Sequence, residues 1–491
     1  MQIALSGVSY AYPSAADPIL NNVSVTFPRG WTGLLGDNGC GKTTLAKIAC
    51  GLIKPDTGSV TRGLFAIMCA QETDIAPDGL ADFALDFGRE AREVRRIFRI
   101  EDDMPWRYAE LSCGEQKKLQ VATALWQRPD ALVLDEPTNH IDHAAREQLA
   151  CALRRFDGIG ILVSHDRELL DALADRCVSF EAGKLVVRPG GYTAAHGQAE
   201  LERATAVRER KAAKENLARL AAEKDARAHE AARAKARSSK RKIDPKDHDA
   251  KGKIDLARVS GQDGVRGRLS AQMDARLAAA RDRVAAAHVE KRYDGDLWLD
   301  AHPSPRKTLL RIEPATIPCG SGTLTVPKLF VGNTDHVGIV GPNGAGKTTL
   351  LAYLRTLADP DAALLDIPQE PTESQRADAL ARAAALSPAE RGRVLSVVAQ
   401  LNSRPERLLE GDRTSPGELR KLMLALGMLD RPVLIIMDEP TNHLDLHSTE
   451  ALERTLAAYP GALMLVSHDC AFLQACTNRT WEVEGGAVRE R

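Results

Sequence analysis

The sequence predicts an α/β protein made of two tandem copies of one domain, joined by a long α-helical hairpin. Three observations carry that prediction. The first is repetition. GDNGCGKTT at 36–44 returns as GPNGAGKTT at 341–349, an offset of 305 residues, while Asp135 returns as Asp438 and Leu162 as Leu465, each 303 residues on. A near-constant offset across three motifs means one duplicated domain. The second is alternation. Short apolar runs at 131–134, 159–163, 433–437 and 462–466 alternate with Ala- and Leu-rich stretches, the pattern of βαβ units around a buried parallel sheet. The third is the middle of the chain, where residues 198–242 are nearly all Ala, Glu, Lys and Arg with no Pro or Gly, a composition that forms a long solvated helix.

The elements place themselves around these markers. The first domain is expected over 1–191, the hairpin over 192–302 and the second domain over 303–491. Within the hairpin, residues 238–267 hold Pro245 and the glycines Gly252, Gly261, Gly264 and Gly267, so a break is expected there. Leu269, Met273, Leu277, Ala280 and Val284 then form one apolar stripe at helical spacing, predicting the returning helix.

Composition sets the outer limits. The 491 residues suit two or three domains, and 44% hydrophobic with 27% charged residues is ordinary for a globular protein. Only 4% of residues are aromatic, so the cores must be built from Leu, Val, Ile and Ala. A formal net charge of -1 leaves nucleic-acid binding to a local patch. The nine cysteines are scattered, with no C-x-x-C pair and no neighbouring His cluster, which fits free thiols in a reducing compartment rather than disulfides or zinc. The opening MQIALSGVSYAYPS lacks the basic start and apolar run of a signal peptide. No uninterrupted apolar stretch of about 18 residues occurs, so nothing is expected to span a membrane. A cytoplasmic protein is the expectation.

Both glycine loops match G-x-x-x-x-G-K-[ST] and follow strand-like runs, at 32–35 and 337–340. Gly36, Asp37, Asn38, Gly39, Cys40 and Gly41 in one copy, and Gly341, Pro342, Asn343, Gly344, Ala345 and Gly346 in the other, form loops whose N–H groups suit a phosphate, with a helix N-terminus behind. Lys42 and Lys347 would neutralise phosphate charge; Thr43 and Thr348 would ligate Mg²⁺, with Thr44 and Thr349 completing the loops. Asp135 and Asp438 end apolar strands, where a carboxylate holds the metal through water. Glu136 and Glu439 follow as candidate general bases. An acidic pair after a strand is ordinarily a helix cap; a second nucleotide motif in the same unit favours catalysis. His165 and His468, each in a Val-Ser-His-Asp run, are placed to reach the γ-phosphate.

With these motifs in hand, the chain resembles the ATP-binding cassette (ABC) proteins. The family's signature, LSGGQ or LSGGE, has its counterpart in LSCGEQ, with Ser112, Gly114 and Glu115, and in the more altered TSPGEL, with Ser415, Gly417 and Glu418. Cys113 and Pro416 replace the first glycine, which makes the second signature the weaker phosphate contact. Gln71 and Gln369 fit the family's glutamine between loop and signature, as further nucleotide and metal contacts. Tyr12, 24 residues before Gly36, fits the adenine-stacking aromatic, whereas 313–318 of the second copy has none. The resemblance implies two cassettes facing head to tail within one chain, a functional monomer. One composite site would pair Lys42, Asp135, Glu136 and His165 with Ser415, the other Lys347, Asp438, Glu439 and His468 with Ser112. ATP and Mg²⁺ are the implied cofactors.

The T-N-H-[IL]-D sequences at 138–142 and 441–445, and the helical linker between the cassettes, resemble the ABC-F branch. That implies an ATPase acting on the ribosome near the tRNA exit site, its linker reaching toward P-site tRNA and the peptidyl-transferase centre, so that rRNA and tRNA are the expected partners. DNA and membrane are not expected. Arg233, Lys235, Arg237, Lys240, Arg241 and Lys242 stand without an acid between them, suited to RNA phosphates, although a solvated helix rich in bases has the same composition. Only 41 residues separate Gln71 from Ser112, leaving little room for the extra arm some ABC-F members carry. Other readings are a transporter ATPase subunit, which leaves the basic hairpin unexplained; the ribosome-recycling twin cassette, which needs iron–sulfur cysteines before Gly36; and DNA-excision cassettes, which carry zinc modules. Within ABC-F, relief of stalled ribosomes or tuning of elongation is favoured, with antibiotic-resistance ribosome protection as the alternative.

Overall fold

In the computed structural model the described residues are 1–13, 17–139, 141–181, 183–237, 262–287, 297, 301–320, 322–359, 362–403, 416–442 and 444–491; for 231, 232, 234–237, 262–270 and 416 only the backbone is described. Met1–Ala195 with Arg292–Arg491 form one compact unit, and His196–Lys291 form another.

The first copy is built on a six-stranded sheet in the order Ala66–Cys69, Ala131–Asp135, Ile159–Val163, Gly30–Leu35, Arg176–Glu181, Lys184–Pro189. The first five strands run parallel and the last returns antiparallel. Ala131–Asp135 and Ile159–Val163 are buried along their whole length, because both faces of a parallel sheet are covered. Their apolar, β-branched sequences follow from that. Asp135 and Leu34 both pair with Val163, and Cys69 pairs with Leu134. The carboxyl ends of four neighbouring strands therefore lie level, and the segments leaving them emerge side by side. One core, with Phe27, Leu45 and Ile48, fills one face; another, with Phe83, Phe98 and Leu119, fills the other. A three-stranded antiparallel sheet, Leu20–Pro28, Gln2–Tyr10 and Thr57–Val60, flanks the first core.

The second copy repeats the order of its parallel strands: Leu364–Ile367, Leu434–Asp438, Ala462–Val466, His336–Val340, Arg479–Glu484. Its flanking strands differ. Ala315–Cys319 and Gly322–Val326 join the main sheet by way of Ala487–Glu490, giving eight strands. Their hairpin closes at Cys319 opposite Gly322. In the first copy residues 11–19 connect the corresponding pair, Tyr10 opposite Leu20. The second copy lacks the aromatic expected from the family because the loop that carries it is gone.

The linker departs from expectation at both helices. The first spans Tyr192–Arg237, six residues earlier than predicted, and runs through Gly197. A helical Gly costs about 0.5–1 kcal/mol. That cost is offset at the start, where Thr193 N and Oγ1 donate to the Asp171 carboxylate at 2.8 and 2.5 Å. The returning helix spans Gln262–Ala286 and includes Gly264 and Gly267, which had been expected in the loop. Its Met273, Leu277 and Ala280 are buried, and Asp274 pairs with Lys224 of the first helix at 2.7 Å. Packing of the apolar stripe overrides the glycines' weak propensity. Of the basic run, Lys240, Arg241 and Lys242 lie outside the described residues, as do the side chains of Lys235 and Arg237. Arg233 is exposed. Between Gln71 and Ser112 the chain forms two short helices, Leu80–Leu85 and Arg89–Phe98, and a 3-10 turn, Met104–Glu110.

Candidate active site

The site of each copy lies where the level strand ends meet. In the first, Gly36, Gln71, Asp135 with Glu136, and His165 leave four adjacent parallel strands, the position at which open α/β sheets bind ligands. The glycine loop leads into the helix Lys42–Ala49, whose N-cap Gly41 sits at φ 106. Gly346 caps Lys347–Leu357 at φ 102. No side chain caps either helix, so the first N–H groups stay directed at the loop, as anion binding requires. Gly341, at φ 154, would place a Cβ 2.2 Å from the Val483 carbonyl oxygen; no other residue fits there.

The lysines sit inside their loops. Lys42 Nζ donates to the carbonyls of Gly36 and Asp37 at 2.7 and 3.0 Å, and Lys347 Nζ to those of Gly341 and Pro342 at 2.8 and 3.0 Å. Cys40 N and Ala345 N each donate back within the loop, to Asp37 and Pro342. Thr43 Oγ1 donates to Asp135 Oδ2 at 2.8 Å, and Thr348 Oγ1 to Asp438 Oδ2 at 2.9 Å. Each copy thus brings one hydroxyl and one carboxylate together beside a phosphate loop, a hard-oxygen donor set that suits Mg²⁺. Burial raises both aspartates, opposed by the threonine bonds.

Glu136 and Glu439 are non-glycine residues held at φ 47 and 49. Such a backbone costs about 1–3 kcal/mol and persists only where its surroundings impose it. Here Glu136 N donates to Val163 O and Glu439 N to Val466 O, both at 2.8 Å. One carboxylate oxygen of each, Oε2, accepts from the backbone N–H of His165 or His468, at 3.2 and 3.3 Å. The other, Oε1, is buried and accepts no hydrogen bond, although the Nε2 of His165 or His468 lies 3.4 or 3.5 Å away. A buried acceptor without a donor is costly, and it suits an incoming water. Burial, opposed by Lys42, pushes Glu136 up to about 8; burial, opposed by Lys347, pushes Glu439 up to about 7.

The histidines reach back to the loops: His165 Nε2 lies 3.3 Å from Asn38 Oδ1, and His468 Nε2 lies 2.9 Å from Asn343 Oδ1. Burial holds both well below the usual range, reinforced by the neighbouring Lys42 and Lys347. Both are neutral, so their approach to Glu136 and Glu439 is not an ion pair.

Other predicted residues stand further out. Tyr12 OH lies 3.0 Å from Thr44 Oγ1, and in the second copy Cys319 Sγ takes that place, 3.7 Å from Thr349 Oγ1. Gln71 is exposed and Gln369 half-buried; among the described residues neither side chain bonds to the threonine–aspartate pairs. Gly39 and Gly344 lie open at the loop tips, with nothing within 4 Å of an added Cβ. Ser112 N-caps Cys113–Trp126 in a capping box with Glu115, next to Gly114, and its bonds among the described residues stay within that turn. Gly417 and Glu418 begin Pro416–Met428 and are half-buried. Ser415 lies outside the described residues.

A family profile described as "ABC transporter" matches residues 20–139 and 327–442. The chain is 30% identical to the tylosin resistance ATP-binding protein TlrC of Streptomyces fradiae, over 99% of this chain and 98% of that one. The chain belongs to the ABC-F family of ATP-binding cassette ATPases. It is also 28% identical to the ribosome protection protein VmlR of Bacillus subtilis, over 100% of this chain and 88% of that one. A solved RNase-L inhibitor shares the fold, with a TM-score of 0.61 at 19% identity, covering 99% of this chain and 90% of that one. This ABC-F chain binds and hydrolyses ATP. Among its described residues no helix is long and apolar enough to cross a membrane.

Sequence reading missed the groups through which the ABC-F cassettes touch each other's sites. Asp142 N-caps its own helix and also accepts from Asn343 N in the other cassette's glycine loop, at 3.4 Å. Its counterpart Asp445 lies near His165 and raises that imidazole slightly against the larger effect of burial. Arg146 donates to His468 O at 3.2 Å and pairs with Asp166 at 3.2 Å. Within the second cassette sequence reading also missed Arg420, which is buried beside the second signature and donates to the carbonyls of Asp438 and Glu439 at 2.8 Å each. The repeated Asp of T-N-H-[IL]-D was the one signal for this set. Arg146 and Arg420 had none, since their counterparts are Thr449 and Lys117.

Proposed function

We propose that the chain is a ribosome-acting ABC-F ATPase whose two sites each hold MgATP. Modules 1–191 and 303–491 bind nucleotide, and 192–302 serves as the reaching linker. Lys42 and Lys347 hold phosphate, the Thr43–Asp135 and Thr348–Asp438 pairs hold Mg²⁺ with Gln71 and Gln369, and Glu136 and Glu439 orient water through Oε1. His165 and His468 carry the state of the γ-phosphate to the loops, and the signature turns at Ser112 and Ser415 close the opposite sites. The single observation that carries the catalytic part is the left-handed glutamate with one buried oxygen that accepts no hydrogen bond, present in both copies. Bound metal supplies charge neutralisation at the β- and γ-phosphates.

The ribosomal part is supported by the relatives' names, one a ribosome protection protein and two, TlrC and the MsrA of Staphylococcus epidermidis, resistance proteins for tylosin and erythromycin. The tRNA exit site and contacts to rRNA and tRNA through the basic run are the finer proposal, as is a cytoplasmic monomer. Ribosome protection against a drug is the second reading, favoured by those same names over the general role. The test is the double variant Glu136→Gln with Glu439→Gln. It should bind ATP without hydrolysing it and co-sediment with 70S ribosomes in an ATP-dependent way. Absence of that co-sedimentation refutes the ribosomal role even if the parent hydrolyses ATP.

A further inference from the structure

Where the two cassettes meet, the fold assembles three side chains that are far apart in sequence. His143 stands at the start of His143–Leu153, Glu168 lies in Arg167–Leu173, and Cys470 opens Cys470–Cys476 of the second cassette. One ligand atom from each lies within 4.8 Å of the others. His143 Nδ1 is 4.0 Å from Cys470 Sγ. We propose that His143, Glu168 and Cys470 form a binding site for a borderline-soft divalent cation of the Zn²⁺ class that clips the two cassettes together.

Four observations carry this. The donor set is one imidazole, one carboxylate and one thiol, which suits Zn²⁺ and not the hard cations. Metal–ligand bonds of about 2.0–2.3 Å place tetrahedral ligands roughly 3.3–3.8 Å apart, so side-chain rotation of about 1 Å closes the present spacing. The other nitrogen of His143, Nε2, faces Glu147 Oε1 at 3.7 Å, the carboxylate–imidazole arrangement that orients metal-bound histidines. A cavity of about 310 Å³, lined by His143, Glu147, Asp166 and Glu168 together with Arg146 and Arg154, opens beside His143 and Glu168 and leaves room for a fourth, water ligand.

The duplicated fold provides an internal comparison. At the 303-residue offset the counterparts of His143, Glu168 and Cys470 are Leu446, Ala471 and Arg167. On that side Arg167 bridges the cassettes directly, to Glu453 at 2.6 Å and Asp469 at 3.6 Å, and Tyr192 OH donates to Glu450 at 2.5 Å. One side of the interface is thus tied by an ion pair. On the other the arginine has become Cys470, and an imidazole and a carboxylate stand opposite it. No residue of the trio belongs to either nucleotide motif.

Cysteine binds such a cation through sulfur as the thiolate. Binding releases the thiol proton to solvent as the S–metal bond forms. Because the ligands come from both cassettes, the cation favours the arrangement in which they touch and opposes the separation that follows each hydrolysis.

The test uses the full chain stripped with a chelator, Co²⁺ and Zn²⁺ as probes, and the variants Cys470→Ser and His143→Ala. The parent should bind one Co²⁺ with a thiolate-to-metal charge-transfer band in the near ultraviolet. Both variants should lose the band and bind Zn²⁺ at least tenfold more weakly. Zn²⁺ should slow ATP turnover of the parent at least twofold and leave Cys470→Ser unaffected. A Co²⁺ spectrum without the thiolate band, or Zn²⁺ binding that survives both substitutions, overturns the site. Binding with no difference in turnover overturns the clip. The isolated protein suffices, so the outcome is independent of the ribosomal reading.

Discussion

The two candidate bases differ in a way that kinetics can read. Burial is the largest influence on both. Asp166 adds to it at Glu136, whereas Arg146, reaching over from the first cassette, opposes it at Glu439. Burial, opposed first by Lys42, pushes Glu136 up to about 8, and burial, opposed first by Lys347, pushes Glu439 up to about 7. A general base works ionised, so each site gains activity as pH rises through its own midpoint. At pH 7 a group titrating at about 8 is ionised in about one molecule in ten, and one titrating at about 7 in about half. The single variants isolate the sites. Glu439→Gln leaves the first base, and its kcat/KM should rise about tenfold from pH 7 to 9; Glu136→Gln leaves the second, and the rise should be about twofold. Gln keeps an acceptor for the histidine N–H, so the turn at positive φ is retained. The assay is phosphate release at sub-saturating MgATP, where kcat/KM reports the free enzyme. Adding Arg146→Gln to the Glu136→Gln variant should move its midpoint upward, toward that of the first site. Superimposable profiles for the two single variants, or a midpoint indifferent to Arg146, would refute the reasoning.

Three further outcomes follow from the same geometry. Tyr12→Ala removes the aromatic whose hydroxyl lies 3.0 Å from Thr44 Oγ1, which we propose stacks on adenine; stacking on a base is worth about 1–3 kcal/mol, so ATP affinity at that site should fall about fivefold or more in a fluorescent-nucleotide titration, with the second site unchanged. Asp438→Asn takes the charge from the Thr348–Asp438 pair, and the Mg²⁺ concentration supporting half-maximal turnover of the Glu136→Gln variant should rise at least tenfold. Phe83→Ala opens a cavity in a fully buried position of the first cassette and should cost about 3–5 kcal/mol, seen as earlier unfolding in calorimetry.

Much of both sites was legible in the chain because their chemistry is carried by local motifs. A glycine loop, a strand-ending Asp-Glu and a Ser-His-Asp turn are contiguous segments, and duplication separates them from chance. The twin sheets were legible for a similar reason: strands such as 131–135 and 462–466 are apolar throughout. The linker helices were harder to bound. Gly264 and Gly267 read as breaks and the first helix was expected only from 198, yet helical packing and the Thr193–Asp171 anchor carry the helices through Gly197, Gly264 and Gly267.

By itself, then, the sequence determined that two cassettes exist, which segments form the glycine loop and the strand-ending acidic pair of each, and that their flanks differ at Tyr12. Those are properties of short segments whose backbone needs and residue chemistry travel together. Only the tertiary structure decided how the copies differ electrostatically. Arg146 lies over 300 residues from His468, and nothing local in either segment specifies that they touch. The same holds for the left-handed turn at Glu136, imposed by the neighbouring strand through Val163, and for Cys470 beside His143, 327 positions apart. Contacts across a domain interface depend on docking geometry, which no local pattern encodes.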